Sequence, residues 1–202
     1  MTAASSYNPQ PLSTSVLTFG AFRVTLLTPR LLRIEETATP SAPAWDDRAT
    51  LRVLNRRTAA TPPFTITANT SSLLAFNTSQ LAVTLGARGP TVTFGSTVWR
   101  RGLKDRHNLL GTYAQGSLDC YSSPAECISG RDAVHNARLV PGLLSTSGWS
   151  VLDDTATARL TNASLDGWLS PHAHRVDRSD LYLFAGYSTT EYAAWLADAT
   201  AA

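Results

Sequence analysis

The chain has 202 residues, enough for one domain with a sizeable core or two small ones. With 43% hydrophobic and 16% charged residues and a mean hydropathy of −0.08, it is too apolar for a disordered chain and too polar for a membrane protein. Seventeen basic against 15 acidic residues leave a net charge of +2, and the bases, all arginine except Lys104, are dispersed. Nucleic acid would need a basic stripe with stacking aromatics on one face, so no nucleic-acid partner is expected.

No run approaches the ~18 apolar residues that a bilayer span requires, so no membrane partner is expected either. The opening Met1-Thr2-Ala3-Ala4-Ser5-Ser6 has neither a basic segment nor an apolar core, and no signal peptide is visible. Residues 1–14 hold Ser, Thr, Asn and Pro without a period and read as a flexible lead-in. From there apolar residues take every second place, as in Phe22-Arg23-Val24-Thr25-Leu26, which marks half-buried strands. The alternation continues through 30–36, with Leu32 and Ile34 inward, then 50–54, 64–67, 73–76, 80–85, 91–94 and 97–99.

Turn signals at Thr28-Pro29, 40–43, Pro62-Pro63 and 86–90 separate these runs. Many short strands at that spacing predict an all-β, antiparallel β-sandwich over residues 15–187. Periodicity fails between Gly102 and Gly142, and a loop that long inside a compact domain is often functional. Strands resume at 149–152, 158–160 and 181–184, where Trp149 reads as core. Residues 188–202 alone look helical. Ser188-Thr189-Thr190-Glu191 matches a capping box, and Tyr192, Trp195 and Leu196 share one face. The helix stops without a C-cap glycine, as though the chain were cut and not finished. On its own, that apolar face would form an exposed patch and favour self-association.

Chemistry-bearing motifs are few. The sequence holds no GxSxG, GxGxxG, P-loop or HExxH. Cys120 and Cys127 lie in the irregular stretch; they are too few for a closed zinc site and read as a local disulfide, with two unrelated thiols as the plainer alternative. His172 and His174 have no third ligand nearby and read as a solvated loop, so no metal or cofactor is expected. Asp46-Asp47-Arg48 and Asp153-Asp154 are carboxylate pairs, but adjacent strand residues point to opposite faces, so each reads as turn chemistry and not as an acid/base site. Asn69-Thr70-Ser71, Asn77-Thr78-Ser79 and Asn162-Ala163-Ser164 match the N-glycosylation acceptor pattern; chance matches are common in so Ser/Thr-rich a chain, and without a visible signal peptide the pattern by itself decides nothing.

Taken in order, several blocks resemble one family. They are Thr28-Pro29-Arg30-Leu31-Leu32-Arg33-Ile34-Glu35, Asp46-Asp47-Arg48-Ala49-Thr50, Val53-Leu54-Asn55-Arg56 and Asn108-Leu109-Leu110-Gly111-Thr112. Leu118-Asp119, Gly142-Leu143-Leu144-Ser145, Gly148-Trp149-Ser150-Val151-Leu152-Asp153-Asp154 and Asp180 to Tyr187 follow. Together they are similar to the N-terminal domain of glycoside hydrolase family 31, over roughly residues 16–200. The resemblance implies a galactose mutarotase-like supersandwich with one C-terminal linker helix, packed against a (β/α)8 barrel. That barrel would carry the two catalytic aspartates of a retaining α-glycosidase.

It therefore implies a non-catalytic domain, with a catalytic barrel as partner and an α-glucoside or α-xyloside bound weakly if at all. By the same resemblance the irregular loop would approach the sugar subsite, with Tyr113 and Asp119 as candidate sugar contacts. One departure stands out: Thr146 replaces an arginine usual before the Gly-Trp pair, removing a bidentate donor. A free-standing carbohydrate-binding module is the alternative expectation. An aldose epimerase, with His107 or His135 and Glu126 as acid and base, ranks last, because fold alone does not imply activity.

Overall fold

The architecture is that of a computed structural model, which describes residues 8–41, 43, 45–110, 141–160, 169–170 and 178–201. Two antiparallel five-stranded sheets form a β-sandwich. The first takes the order β1 (Val16–Phe19), β2 (Phe22–Leu26), β3 (Leu31–Thr37), β12 (Arg178–Ala185) and β9 (Trp149–Asp153). The second is a meander of β4 (Thr65–Asn69), β5 (Leu73–Asn77), β6 (Ala82–Gly86), β7 (Gly89–Phe94) and β8 (Thr97–Arg100). A two-stranded ribbon of β10 (Arg159–Leu160) and β11 (Leu169–Ser170) stands apart. The expected all-β sandwich with one C-terminal helix is what the chain adopts.

Alternation places one apolar set between the sheets. Val24, Leu26, Leu32, Ile34 and Leu183 from the first sheet meet Leu74, Phe76, Val83, Leu85, Val92, Phe94 and Trp99 from the second. Trp149 is buried in the same core, as its strand position predicts. Short turns keep the meander in register. Between β7 and β8 the loop is two residues long, and Gly95 at φ +50 supplies the left-handed backbone such a hairpin needs.

The first sheet is also buried on its far face, contrary to the half-buried reading. In β3 every residue from Leu31 to Glu35 is buried. Covering that face are the segment around 45–57, the turn at 142–148 and helix α1 (Tyr192–Ala201). Leu27, Leu31, Tyr182 and Phe184 pack there against Val53, Leu143, Leu144, Tyr187 and Trp195.

Two expectations fail at this layer. Residues 50–54 do not form a strand; Thr50 donates its N–H to the Val53 carbonyl in a turn, and a single bridge to Arg159 is its only ladder pairing. The apolar residues of this stretch do not share one face: Val53 is buried, Leu54 is half-buried and Leu51 is 60% exposed. Nor do Tyr192, Trp195 and Leu196 form an exposed patch: Trp195 is fully buried and stacks on Tyr187 at 4.7 Å between ring centres. The helix uses its apolar face on its own sheet, which removes that reason for self-association. Its cap is half of the expected box, since the Glu191 carboxylate accepts the Ser188 N–H at 2.7 Å while the Ser188 hydroxyl meets that of Thr190.

Candidate functional site

Pairing register builds two charged rows on the covered face of the first sheet. Arg23, Glu35 and Asp180 stand directly opposite one another on β2, β3 and β12, and Thr25, Arg33 and Tyr182 form the next row. Facing residues in a ladder lie close enough to bond side chain to side chain. Arg23 forks onto Glu35 at 2.5 and 2.8 Å. Arg33 forks onto Asp180 at 2.8 and 2.7 Å.

The covering segment supplies the rest. Asp47 accepts from Arg23 at 2.5 and 2.9 Å and from Arg33 at 2.6 Å, tying the two rows together. Arg56 donates to the Tyr182 hydroxyl at 2.5 Å and to the Asp47 and Arg48 carbonyls. Arg159 reaches the Asp154 and Thr157 carbonyls, and its guanidinium lies 3.5 Å from Asp180. Thr50 donates its hydroxyl to Asp154. The Arg56 Nη2 and Arg159 Nε donors are buried without a hydrogen-bond partner among the described residues, and pair with Asp154 at 3.8 Å and Asp46 at 3.7 Å as ions only.

Burial and pairing compete at each carboxylate. At Asp180 burial pushes the pKa up, but the charge and hydrogen bonds of Arg33, with Arg56 and Arg159, outweigh it and hold the group below the usual range. Asp47 is likewise held low against its burial, by Arg23 and Arg33. Asp46 is held well below the usual range against partial burial by Arg48. At Glu35 burial outweighs Arg33 and Arg23, so its carboxyl is raised. Burial also raises Asp154, helped by the negative charge of Asp180. Raised carboxyls mark proton-transfer sites only where substrate can reach them. Glu35 is 5% exposed and Asp154 0%, so neither offers an approach.

Only one member of each carboxylate pair follows the turn reading. Asp46 accepts the backbone N–H of Arg48 and a fork from its guanidinium, while Asp47 turns inward to Arg23 and Arg33. Asp153 caps a turn through the Thr155 N–H and is exposed, whereas its neighbour Asp154 is buried in the charged layer. Asp153 lines a cleft of about 380 Å³ between the β8 and β9 edges, with Trp99, Arg101, Leu103, Val151 and Leu181. Arg101 pairs with Glu36 beside it.

The candidate sugar contacts Tyr113 and Asp119, and the cysteines Cys120 and Cys127, lie outside the described residues, as do His135, His172, His174, Glu126 and Asn162. His107 is exposed, and its carbonyl accepts the Thr146 N–H. Thr146 itself is exposed in the turn that leads to Gly148. At Gly148 φ is +73, and a Cβ there would stand 2.2 Å from the Tyr187 carbonyl oxygen, so only glycine lets this turn approach the strand leading to α1. Among the described residues no three His, Cys, Asp or Glu side chains gather as a metal site, and no helix is long and apolar enough to cross a membrane. Neither a family model nor a curated protein matches the chain.

The charged layer escaped sequence reading. Its one signal is the placing of Arg23, Arg33, Glu35 and Asp180 at the polar positions of otherwise apolar strands, a pattern that a solvated sheet face shares.

Proposed function

We propose that the chain is a non-catalytic, galactose mutarotase-like sandwich domain of the glycoside hydrolase family 31 kind. It supports a catalytic barrel and helps shape that barrel's sugar subsite, with Tyr113 and Asp119 on the loop that would approach the sugar. One observation carries the reading. The blocks quoted for the resemblance are scattered over some 150 positions, yet their charged residues Arg33, Asp47, Arg56, Asp154 and Asp180 meet in one layer. A scaffold needs that kind of internal cement: buried forks that lose their energy if one partner is removed. The carboxylates of the layer are spent on arginines, which suits support and not hydrolysis.

Assay of nitrophenol release from aryl α-glucosides and α-xylosides by the purified chain is expected to give no turnover. The coding sequence past codon 202 is expected to continue in frame into a barrel. Turnover that co-purifies with the chain, or a stop with no barrel, would overturn the reading.

The cleft beside Trp99 favours a second reading, a free-standing carbohydrate-binding module, since a mixed polar and apolar rim can hold a sugar ring. Titration with maltose or isomaltose followed by tryptophan fluorescence separates the two. No change at millimolar sugar leaves the scaffold alone; saturation favours the module.

A further inference from the structure

One turn recurs four times among the described residues, and two of its copies carry residues that the turn does not use. In each copy a threonine donates its backbone N–H to the carbonyl three residues on: Thr28 to Leu31, Thr50 to Val53, Thr70 to Leu73 and Thr78 to Leu81. Its hydroxyl oxygen accepts the N–H groups two and three residues on, as at Arg30 and Leu31, Arg52 and Val53, Ser72 and Leu73, or Gln80 and Leu81. A threonine and a closing apolar residue are therefore all that the turn requires. Leu27 precedes it at the first copy and Ala49 at the second.

The third and fourth copies read Asn69-Thr70-Ser71-Ser72-Leu73 and Asn77-Thr78-Ser79-Gln80-Leu81. Asn69 ends β4 and Asn77 ends β5, so the two stand at opposite ends of one hairpin. Asn69, Ser71, Asn77 and Ser79 are all exposed. Among the described residues none of their side chains makes a hydrogen bond, whereas Thr78 donates to the Pro29 carbonyl at 2.7 Å and anchors its copy to the core. The middle threonine holds the turn; the flanking Asn and Ser hold nothing.

We propose that Asn69 and Asn77 are acceptor sites for N-linked glycans, presented to a lipid-linked oligosaccharide in the secretory lumen. In the transfer, Asn Nδ2 attacks the anomeric carbon of the sugar and a C–N bond forms. The bond from that carbon to the phosphate oxygen breaks, the lipid pyrophosphate leaves with the electron pair, and one amide proton passes to base; nothing is oxidised or reduced. The site at Asn69 also has a physical consequence. β4 is the edge strand of its sheet, exposed along most of its length with Ile66 among its exposed residues, and a glycan at its end blocks the addition of a further strand.

The test expresses the full chain behind a secretory leader in a glycosylating yeast and maps glycopeptides by mass spectrometry. Glycosylated peptides are expected at both Asn69 and Asn77. N69Q and S71A should each abolish the glycan at the first site, and N77Q and S79A that at the second. The two serine variants keep the threonine turn, so their thermal unfolding should match the parent after enzymatic removal of glycans. A secreted, folded chain whose Asn69 and Asn77 peptides are unmodified overturns the proposal, and modification at one position alone overturns it for the other.

Discussion

The first sheet buries an apolar core on one face and, on the other, a charged layer beside a second apolar cluster around Trp195. Toward the second sheet, Val24, Leu26, Leu32, Ile34 and Leu183 join an apolar core that any hydrophobic set of the right volume would fill. On the far face, Arg23, Arg33, Glu35, Asp180 and Tyr182 meet Asp47, Arg56 and Asp154 in a buried charged layer that tolerates no unmatched partner. The difference teaches that burial alone does not identify a core's chemistry. An apolar face is forgiving in geometry and indifferent to pH, whereas a charged one specifies which irregular segment may lie on it.

Removing one member of the layer is the strongest way to break that contrast. Arg33→Ala strands Asp180 without its main partner, takes one of three arginine hydrogen bonds from Asp47, and is expected to cost about 4 kcal/mol by urea denaturation. On the apolar face Leu183→Ala should cost about 3 kcal/mol, through lost transfer energy and a residual cavity. Its cost should stay constant from pH 7 to pH 4, while that of Arg33→Ala should shrink as the stranded carboxylates take up protons. Gly148→Ala sharpens the role of the turn that packs beside Tyr187 and Trp195: the added methyl meets the Tyr187 carbonyl, and a loss of about 2 kcal/mol with altered tryptophan emission from Trp195 is expected.

The pH dependence of the parent follows from the opposing shifts. Asp46, Asp47 and Asp180 have lowered folded pKa values, so their contribution is present above the unfolded carboxylate value of about 3.9 and is lost as pH falls through the lower folded values. Glu35 and Asp154 have raised values, so theirs is fully present below the unfolded value and is lost as pH rises through the folded one. Denaturation midpoints should therefore rise modestly on acidification from neutral pH, then fall below about pH 4. The smallest effect belongs to the helix cap. The exposed Glu191 carboxyl is held down at about 2 by the Ser188 N–H and Arg30, and Glu191→Gln should produce only a slight loss of helicity, read by circular dichroism at neutral pH.

Where local rules decide structure, the sequence was readable. Alternation marked most strands of both sheets, because a strand with one apolar face has few other ways to bury it, but it missed β1 and the burial of the first sheet's far face. The Ser188–Glu191 pattern marked the start of the helix, because the carboxylate at its third place really does reach back. What the sequence hid lies in the irregular cover. Residues 45–57 and 142–148 have no period of their own, so nothing announced that the first would bring Asp46 and Asp47 onto Arg23 and Arg33, or that the second would pack Leu143 and Leu144 beside Tyr182 and Phe184. The pattern at 50–54 misled because it holds a threonine turn, closed by Val53, that leaves Leu51 exposed. The turn reading of the aspartate pairs holds for Asp46 and Asp153 and fails for Asp47 and Asp154, which the charged layer takes up.

A double-mutant cycle on Arg33 and Asp180 tests most directly whether the charged layer is structural cement. The pair should couple strongly, with Arg33→Ala alone less stable than the Arg33→Ala, Asp180→Ala double variant, because the second change removes the stranded charge. A cycle in which Arg33→Ala shifts stability by less than about 0.5 kcal/mol, or in which the two losses simply add, would contradict the account.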